Sequence, residues 1–266
     1  MLHKRGGTMN KIVVWSLFDS GIGSYQKAIR KFFPNVKNFS IGIDKLHKND
    51  DFINLDLADF HKLFGDNKMF DTLDNLPKPN IILASPPCES WSVASAMRGG
   101  NKCWIWESGE LIPRKDISIL SKNDTPFKSY PDKALYTRIN GELCAFNTTQ
   151  IIDRYKPVYW VIENPLSSKI WYYLDRWHGF SGIYNVAHYA AYDKKFSKKP
   201  TCFLSNQILN LRTLPKGVKS AVTIGSHDTG KSSNRKQIHD YNERSAIPNL
   251  LVKDILTQLL GEEGIK

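Results

Sequence analysis

The sequence predicts an α/β protein: a doubly wound, mainly parallel sheet with a small, basic, β-rich appendage towards the C-terminus. Three observations carry this. Apolar runs of strand length alternate with segments of helical spacing through the first half of the chain. The strand-like runs end in glycine-containing or acidic turns. The later part is β-like and rich in lysine.

The elements follow in order. Lys11 to Phe18 (KIVVWSLF) is a β-rich apolar run that ends in the turn DSGIGS. In SYQKAIRKFF, Ala28, Ile29, Phe32 and Phe33 fall on one side of a helix. Asn38 to Asp44 (NFSIGID) is a second short strand closed by an acid. Ile53 to Asp59 (INLDLAD) is a third apolar segment, and Pro79 precedes a fourth, IILAS. From Pro86 to about Pro131 no period is sustained, and an insertion of that length is a functional or a disordered loop. Ala134 to Tyr155 returns to helical spacing, and VYWVIENP reads as a buried strand running into a loop. NVAHYAAY, TCFLSN and KSAVTIG are β-like. Pro248 to Leu260 has the pattern of an amphipathic helix with proline near its first turn.

Composition narrows the function classes. With 41% hydrophobic residues and no apolar run near the length of a span, the chain is expected to be soluble, without a membrane partner. The first residues hold no apolar stretch of the secretory kind, which predicts a cytoplasmic location. The formal net charge of +11 is uneven: Ala190 to Asp240 holds ten Lys/Arg against three Asp. Such a segment fits a polyanionic partner, and equally a solvated lysine surface. The four cysteines lack zinc-site spacing, so no metal is expected, and Cys103, Cys144 and Cys202 are expected to pack as small apolar groups.

Four features fall at predicted strand ends, where doubly wound sheets bind ligands. Phe18-Asp19-Ser20-Gly21-Ile22-Gly23 lets the chain turn sharply and lets a ligand approach the backbone. Asp44, closing the second strand, can accept from both ribose hydroxyls of an adenosine cofactor. Asp56 can accept from an exocyclic amine. Either acid also reads simply as a helix cap or loop acid.

The fourth feature, Ser85-Pro86-Pro87-Cys88, makes the chain rigid just before a thiol. Fixed placement favours a nucleophile, and a thiolate suits carbon 6 of a pyrimidine: soft, strong and able to leave again. In Val161-Ile162-Glu163-Asn164-Pro165 a carboxyl group stands at another strand end. A buried carboxyl stays protonated or acquires a partner, and when protonated it can donate to a cytosine ring nitrogen while accepting from the exocyclic amine.

The order FDSGIG, GID, LDL, SPPC, ENP resembles the motif series of cytosine-5 DNA methyltransferases, notably the small phage-encoded members. The resemblance runs from about Lys11 to Asn206 and resumes from Arg244 to Leu260. It implies a Rossmann-like fold that binds S-adenosyl-L-methionine, with Phe18, Ser20, Gly21, Ile22 and Gly23 lining the pocket. Asp44 would hold the ribose, and Asp56 with Leu57 the adenine. Cys88 would be the nucleophile and Glu163 the base-binding acid. Lys199 stands where the family has the first of two arginines bracing a flipped cytosine, and Thr201 where it has the second. Ser245 replaces the asparagine of the C-terminal motif that closes the cofactor site.

The same resemblance implies a domain plan. Residues 1–10 form a tail, 11–205 the catalytic and cofactor-binding domain with a long active-site loop over 89–132, 206–243 a small target-recognition region, and 244–266 a returning C-terminal helix. Duplex DNA is the expected partner, bound by a monomer. Phosphate contacts would come from Lys194, Lys195, Lys198, Arg235 and Lys236, and a loop carrying Ser90 and Trp91 would close over the extruded base. A partnership with a restriction system follows from resemblance alone. Two alternatives stay open: cytosine-5 methylation of RNA, and a catalytically silent DNA-binding protein of the same fold.

Overall fold

The computed structural model describes residues 11–19, 23–43, 52–93, 96–97, 100–115, 131–224, 236–238 and 240–261. The tail expected over 1–10 lies outside them, as do Ser20, Gly21, Ile22, Asp44 and Arg235.

A seven-stranded sheet forms the centre. Its strands are β1 (Val13–Leu17), β2 (Lys37–Gly42), β3 (Phe52–Asn54), β4 (Ile81–Ala84), β9 (Tyr159–Pro165), β10 (Ile183–His188) and β11 (Pro200–Ser205), in the order β10-β11-β9-β4-β1-β2-β3. β3, β2, β1, β4 and β9 pair in parallel, and β11 runs against both its neighbours. The chain winds outward from β1 to β3, then restarts at β4 in the other direction. The doubly wound, mainly parallel, Rossmann-like sheet expected from the sequence is therefore the observed one, and its switch point lies between β1 and β4.

Side-chain alternation divides the core between the two faces of the sheet. Trp15, Leu17, Ile82, Ala84 and Ile162 pack with helices α2 (Lys68–Asp74), α3 (Pro131–Tyr155) and α4 (Ile170–His178). Val14, Ile81, Leu83 and Val161 face α1 (Ser24–Phe32) and α6 (Asn249–Leu260), through Ala28 and Ile29 of the former and Leu251, Ile255 and Leu259 of the latter. Every residue of β4 is buried because helices cover both faces, so IILA carries no polar alternation. Among the described residues no helix is long and apolar enough to cross a membrane.

The segment after Cys88 departs from the irregular loop expected over 89–132. It contains a four-stranded antiparallel sheet: β5 (Ala96–Met97), β6 (Gly100–Asn101), β7 (Trp104–Glu107) and β8 (Glu110–Pro113). Ser108 and Gly109 connect β7 to β8 with φ of 51° and 84°, the paired positive values of a two-residue hairpin. Ser-Gly between WIWE and ELIP was the available signal. In the basic region, the described residues hold two short parallel strands, β12 (Val222–Ile224) and β13 (Lys236–Ile238), ahead of α5 (Tyr241–Ser245).

Candidate active site

Strand ends converge on a cavity of about 620 Å³ at the switch point. The ends of β1, β2, β4 and β9 contribute Phe18, Gly42, Ser85 and Glu163, and the turn after β3 contributes Asp56 and Leu57. α5 and the residues after it contribute Asn242, Ser245 and Ile247. Seven residues singled out in the sequence meet here across nearly the whole chain: Phe18, Asp56, Leu57, Cys88, Glu163, Lys199 and Ser245.

The β1 end is built around Asp19. Its carboxylate accepts the backbone N–H of Tyr25 at 3.0 Å and of Gln26 at 2.9 Å, and the Ser40 hydroxyl at 2.7 Å. It thereby caps α1, whose preceding residue Gly23 is left-handed with φ 61°. Burial raises the Asp19 carboxyl to about 6 against the pull of these donors. Phe18 also has a positive φ, 60°, held by its N–H on the Ile41 carbonyl at 2.8 Å. For a bulky residue this is a strained conformation, as is the φ of 31° at Lys199, and both residues line the cavity.

Where the sequence reading expects adenine, apolar side chains stand beside an acceptor. Ile43, Leu55 and Leu57 provide apolar surface, and the exposed Asp56 carboxylate lies beside them. Asp56 accepts the Ala58 N–H at 2.8 Å through one oxygen. Asn147 of α3 fixes this turn by donating to the carbonyls of Leu57 at 2.8 Å and Asp59 at 2.9 Å. The Ile247 N–H donates to Ser24 Oγ at 3.0 Å, which ties the segment after α5 to the start of α1.

Cys88 is half-buried. Asn164 Nδ2 donates to the Pro86 carbonyl at 2.9 Å, and Ser168 Oγ donates to Asn164 Oδ1 at 2.6 Å, so the ENP strand end holds the SPPC turn directly. Tyr25 and Ser85 share a hydroxyl–hydroxyl bond of 2.7 Å on the other side. Burial pushes the Cys88 thiol above its ordinary value; the positive charge of Lys199 opposes this and the negative charge of Glu163 adds to it. Glu163 is buried and accepts the Tyr189 hydroxyl on Oε1 at 2.9 Å.

Ser90 and Trp91 turn away from the cavity, contrary to the expectation that they meet DNA. Ser90 is buried and its Oγ accepts Trp104 Nε1 at 3.1 Å. Trp91 is fully buried, stacked on Trp104 at 5.0 Å between ring centroids and tilted against Tyr173 at 4.7 Å. Trp91 is apolar surface adjoining a hydrophobic helix pair, and burial against α4 stabilises it more than exposure at a solvated groove. Asn101 completes the node: its amide donates to the carbonyls of Ser90 and Ser92, and its oxygen accepts the N–H of Cys103 and Trp104.

Gly141 of α3 approaches the same node. A Cβ there would stand 2.5 Å from Ser90 Cβ. Replacing a helical glycine by alanine ordinarily stabilises by about 1 kcal/mol. Gly141→Ala is expected to lower the thermal midpoint instead, because overpacking costs roughly 1–3 kcal/mol. Thermal denaturation checks this, and a raised midpoint would show that Ser90 yields without cost.

Lys194 and Lys195 are exposed and lie outside the cavity lining, as does the half-buried Lys198. For Lys236 the structure describes the backbone alone. Tyr25, Asn147 and Tyr189 were not singled out in the sequence. Tyr189 is 26 residues from Glu163, and only the return of the chain through β10 and β11 brings them together.

No protein-family model matches the chain, and no curated protein does. Among solved structures, the chain is similar to a Plasmodium falciparum protein described as a ribosomal RNA methyltransferase. The two are 16% identical, with 74% of this chain and 85% of the other covered and a TM-score of 0.35. A likeness this slight does not bear on activity or substrate.

Proposed function

We propose that this protein methylates carbon 5 of cytosine in duplex DNA, using S-adenosylmethionine. The observation that carries the reading is that Cys88 and Glu163, from different strand ends, line one cavity whose wall also pairs apolar surface with the Asp56 carboxylate. Leu55, Leu57 and Asp56 would hold the adenine of the cofactor, and Ser24 and Ser245 border the same space. When bound, S-adenosylmethionine supplies an electrophilic methyl group.

The protein's own groups do the rest. A cytosine is stacked inside the duplex, so it must leave the stack to enter a cavity of this kind. Glu163 would hold its edge, with a protonated oxygen on the ring nitrogen and the other oxygen accepting the exocyclic amine. That contact draws electron density from the ring. The Cys88 thiolate then forms a bond to carbon 6, and carbon 5 becomes nucleophilic. Carbon 5 would take the methyl group, the sulfonium sulfur of S-adenosylmethionine keeping the bonding pair. Water would accept the carbon-5 proton, and departure of the Cys88 sulfur as thiolate would restore the aromatic ring. The exposed Lys194 and Lys195 supply phosphate contacts at the basic surface.

The test is a denaturing gel of the protein incubated with S-adenosylmethionine and duplex DNA carrying 5-fluorocytosine. Fluorine at carbon 5 blocks the final proton loss, so a covalent protein–DNA adduct should accumulate. An adduct formed with transfer RNA and never with DNA would reassign the substrate. Salt-sensitive DNA binding without an adduct on either would leave a silent binder.

The raised Cys88 thiol fixes the pH dependence. Its thiolate is scarce at neutrality, so the rate of adduct formation should rise steadily with pH above 7. Lys199→Gln removes the charge that lowers the thiol, which moves the rise to higher pH. The variant should be slower near neutrality and should approach wild type as pH increases. A ratio that stays constant across pH would show that Lys199 acts elsewhere than on the thiol.

A further inference from the structure

Glu163 owes its orientation to a residue that no motif marks. Tyr189 is buried in the short 3-10 turn Tyr189–Ala191, which follows β10, and its hydroxyl donates to Glu163 Oε1. The Lys199 ammonium stands 4.7 Å from the centroid of the Tyr189 ring and donates to the Arg244 carbonyl at 3.3 Å. Thr201, fully buried, sends its hydroxyl to the Lys199 carbonyl at 3.0 Å. Among the described contacts, the cationic side chain at the first family arginine position is thus held by a ring and a carbonyl, and the hydroxyl on Glu163 comes from Tyr189.

We propose that Tyr189 is a positioning and specificity-determining residue: by donating to Oε1 it fixes which oxygen of Glu163 meets which atom of the base, and so selects cytosine over uracil. This rests on the reading of the site as pyrimidine-directed. A protonated carboxyl has one donor oxygen and one acceptor oxygen, and the two are interchangeable until something distinguishes them. The Tyr189 hydroxyl occupies a lone pair of Oε1, so in the complex with the base the proton shared with the ring nitrogen lies at Oε2. Oε1 keeps its second lone pair for an amine. The ordered pair then offers a donor to the unprotonated ring nitrogen of cytosine and an acceptor to its amine. Uracil presents the reverse, a ring N–H and a carbonyl, and leaves both oxygens mismatched. A site built around a polar pattern rejects the wrong pattern strongly because the buried groups are left unpaired.

Tyr189→Phe separates this role from packing, since it keeps the ring beneath Lys199 and removes only the donor. The experiment compares adduct formation on duplexes carrying 5-fluorocytosine with duplexes carrying 5-fluorouracil, with rates expressed per S-adenosylmethionine-binding site. Wild type should prefer 5-fluorocytosine by about a hundredfold or more. Tyr189→Phe should shrink that preference by about tenfold, the worth of one buried hydrogen bond, with the KM for S-adenosylmethionine within twofold. An unchanged preference overturns the proposal, and so does a variant that cannot be prepared folded, which would make the hydroxyl structural. If the variant reacts too slowly to score, the ratio of affinities for cytosine- and uracil-bearing duplexes is measured in the Cys88→Ala background, where an unchanged ratio is equally decisive. Failure of wild type to form any adduct instead overturns the assignment of the reaction itself.

Discussion

Cys88→Ala is expected to abolish methyl transfer, by roughly four orders of magnitude or more, since removing a covalent nucleophile takes away the step on which the other groups act. The geometry makes the change local. Cys88 is half-buried at a cavity wall, and its turn is held by others: Asn164 on the Pro86 carbonyl, Tyr25 on Ser85, and the N–H groups of Trp91 and Ser92 on the Cys88 carbonyl at 3.0 and 2.8 Å. None of these contacts uses the sulfur. The variant should therefore bind S-adenosylmethionine as wild type does and melt at nearly the same temperature, while forming no adduct with 5-fluorocytosine DNA. Incorporation of labelled methyl groups is the measurement. Turnover within tenfold of wild type would remove Cys88 from the chemistry.

Trp91→Ala should have the largest effect on stability. Trp91 is fully buried between Trp104 of β7 and Tyr173 of α4, and its carbonyl accepts the Lys169 N–H at 3.1 Å. It joins three parts of the molecule: the Cys88 turn, the four-stranded sheet and the α3–α4 face. Deleting a buried tryptophan costs about 3–5 kcal/mol, which in a chain of this size lowers the midpoint by roughly 6–20 °C. Among the described residues the indole N–H has no hydrogen-bond partner, so the loss is one of packing. Activity should fall as well, because the residue three places before it is Cys88. A midpoint within 2 °C of wild type would show that the small sheet docks independently of Trp91.

These two residues mark the limits of sequence reading. Both belong to SPPCESW, yet Cys88 lines the cavity and Trp91 is buried away from it. Pro-Pro before Cys88 constrains the backbone whatever surrounds it, so its meaning is local and legible. Trp91 has the same one-dimensional context whether it lies on a flap or in a core. Its burial depends on a hairpin 13 to 22 residues later and on α4, about 80 residues away. The four strands after Cys88 were missed for the related reason that two- and four-residue strands carry too little alternation to register.

By itself the sequence determined the sheet and the strand ends that carry Phe18, Asp56, Cys88 and Glu163, because strand period, glycine and proline act over a few residues. Only the tertiary structure decided that these ends open into one cavity, that Asn164 ties two of them together, that Tyr189 reaches Glu163 and that Trp91 turns inward. The physical reason is one of range. Backbone preferences are set by neighbours in the chain, whereas the partner of a buried hydroxyl or indole is whatever the folded chain brings within a few ångströms, and topology alone chooses that.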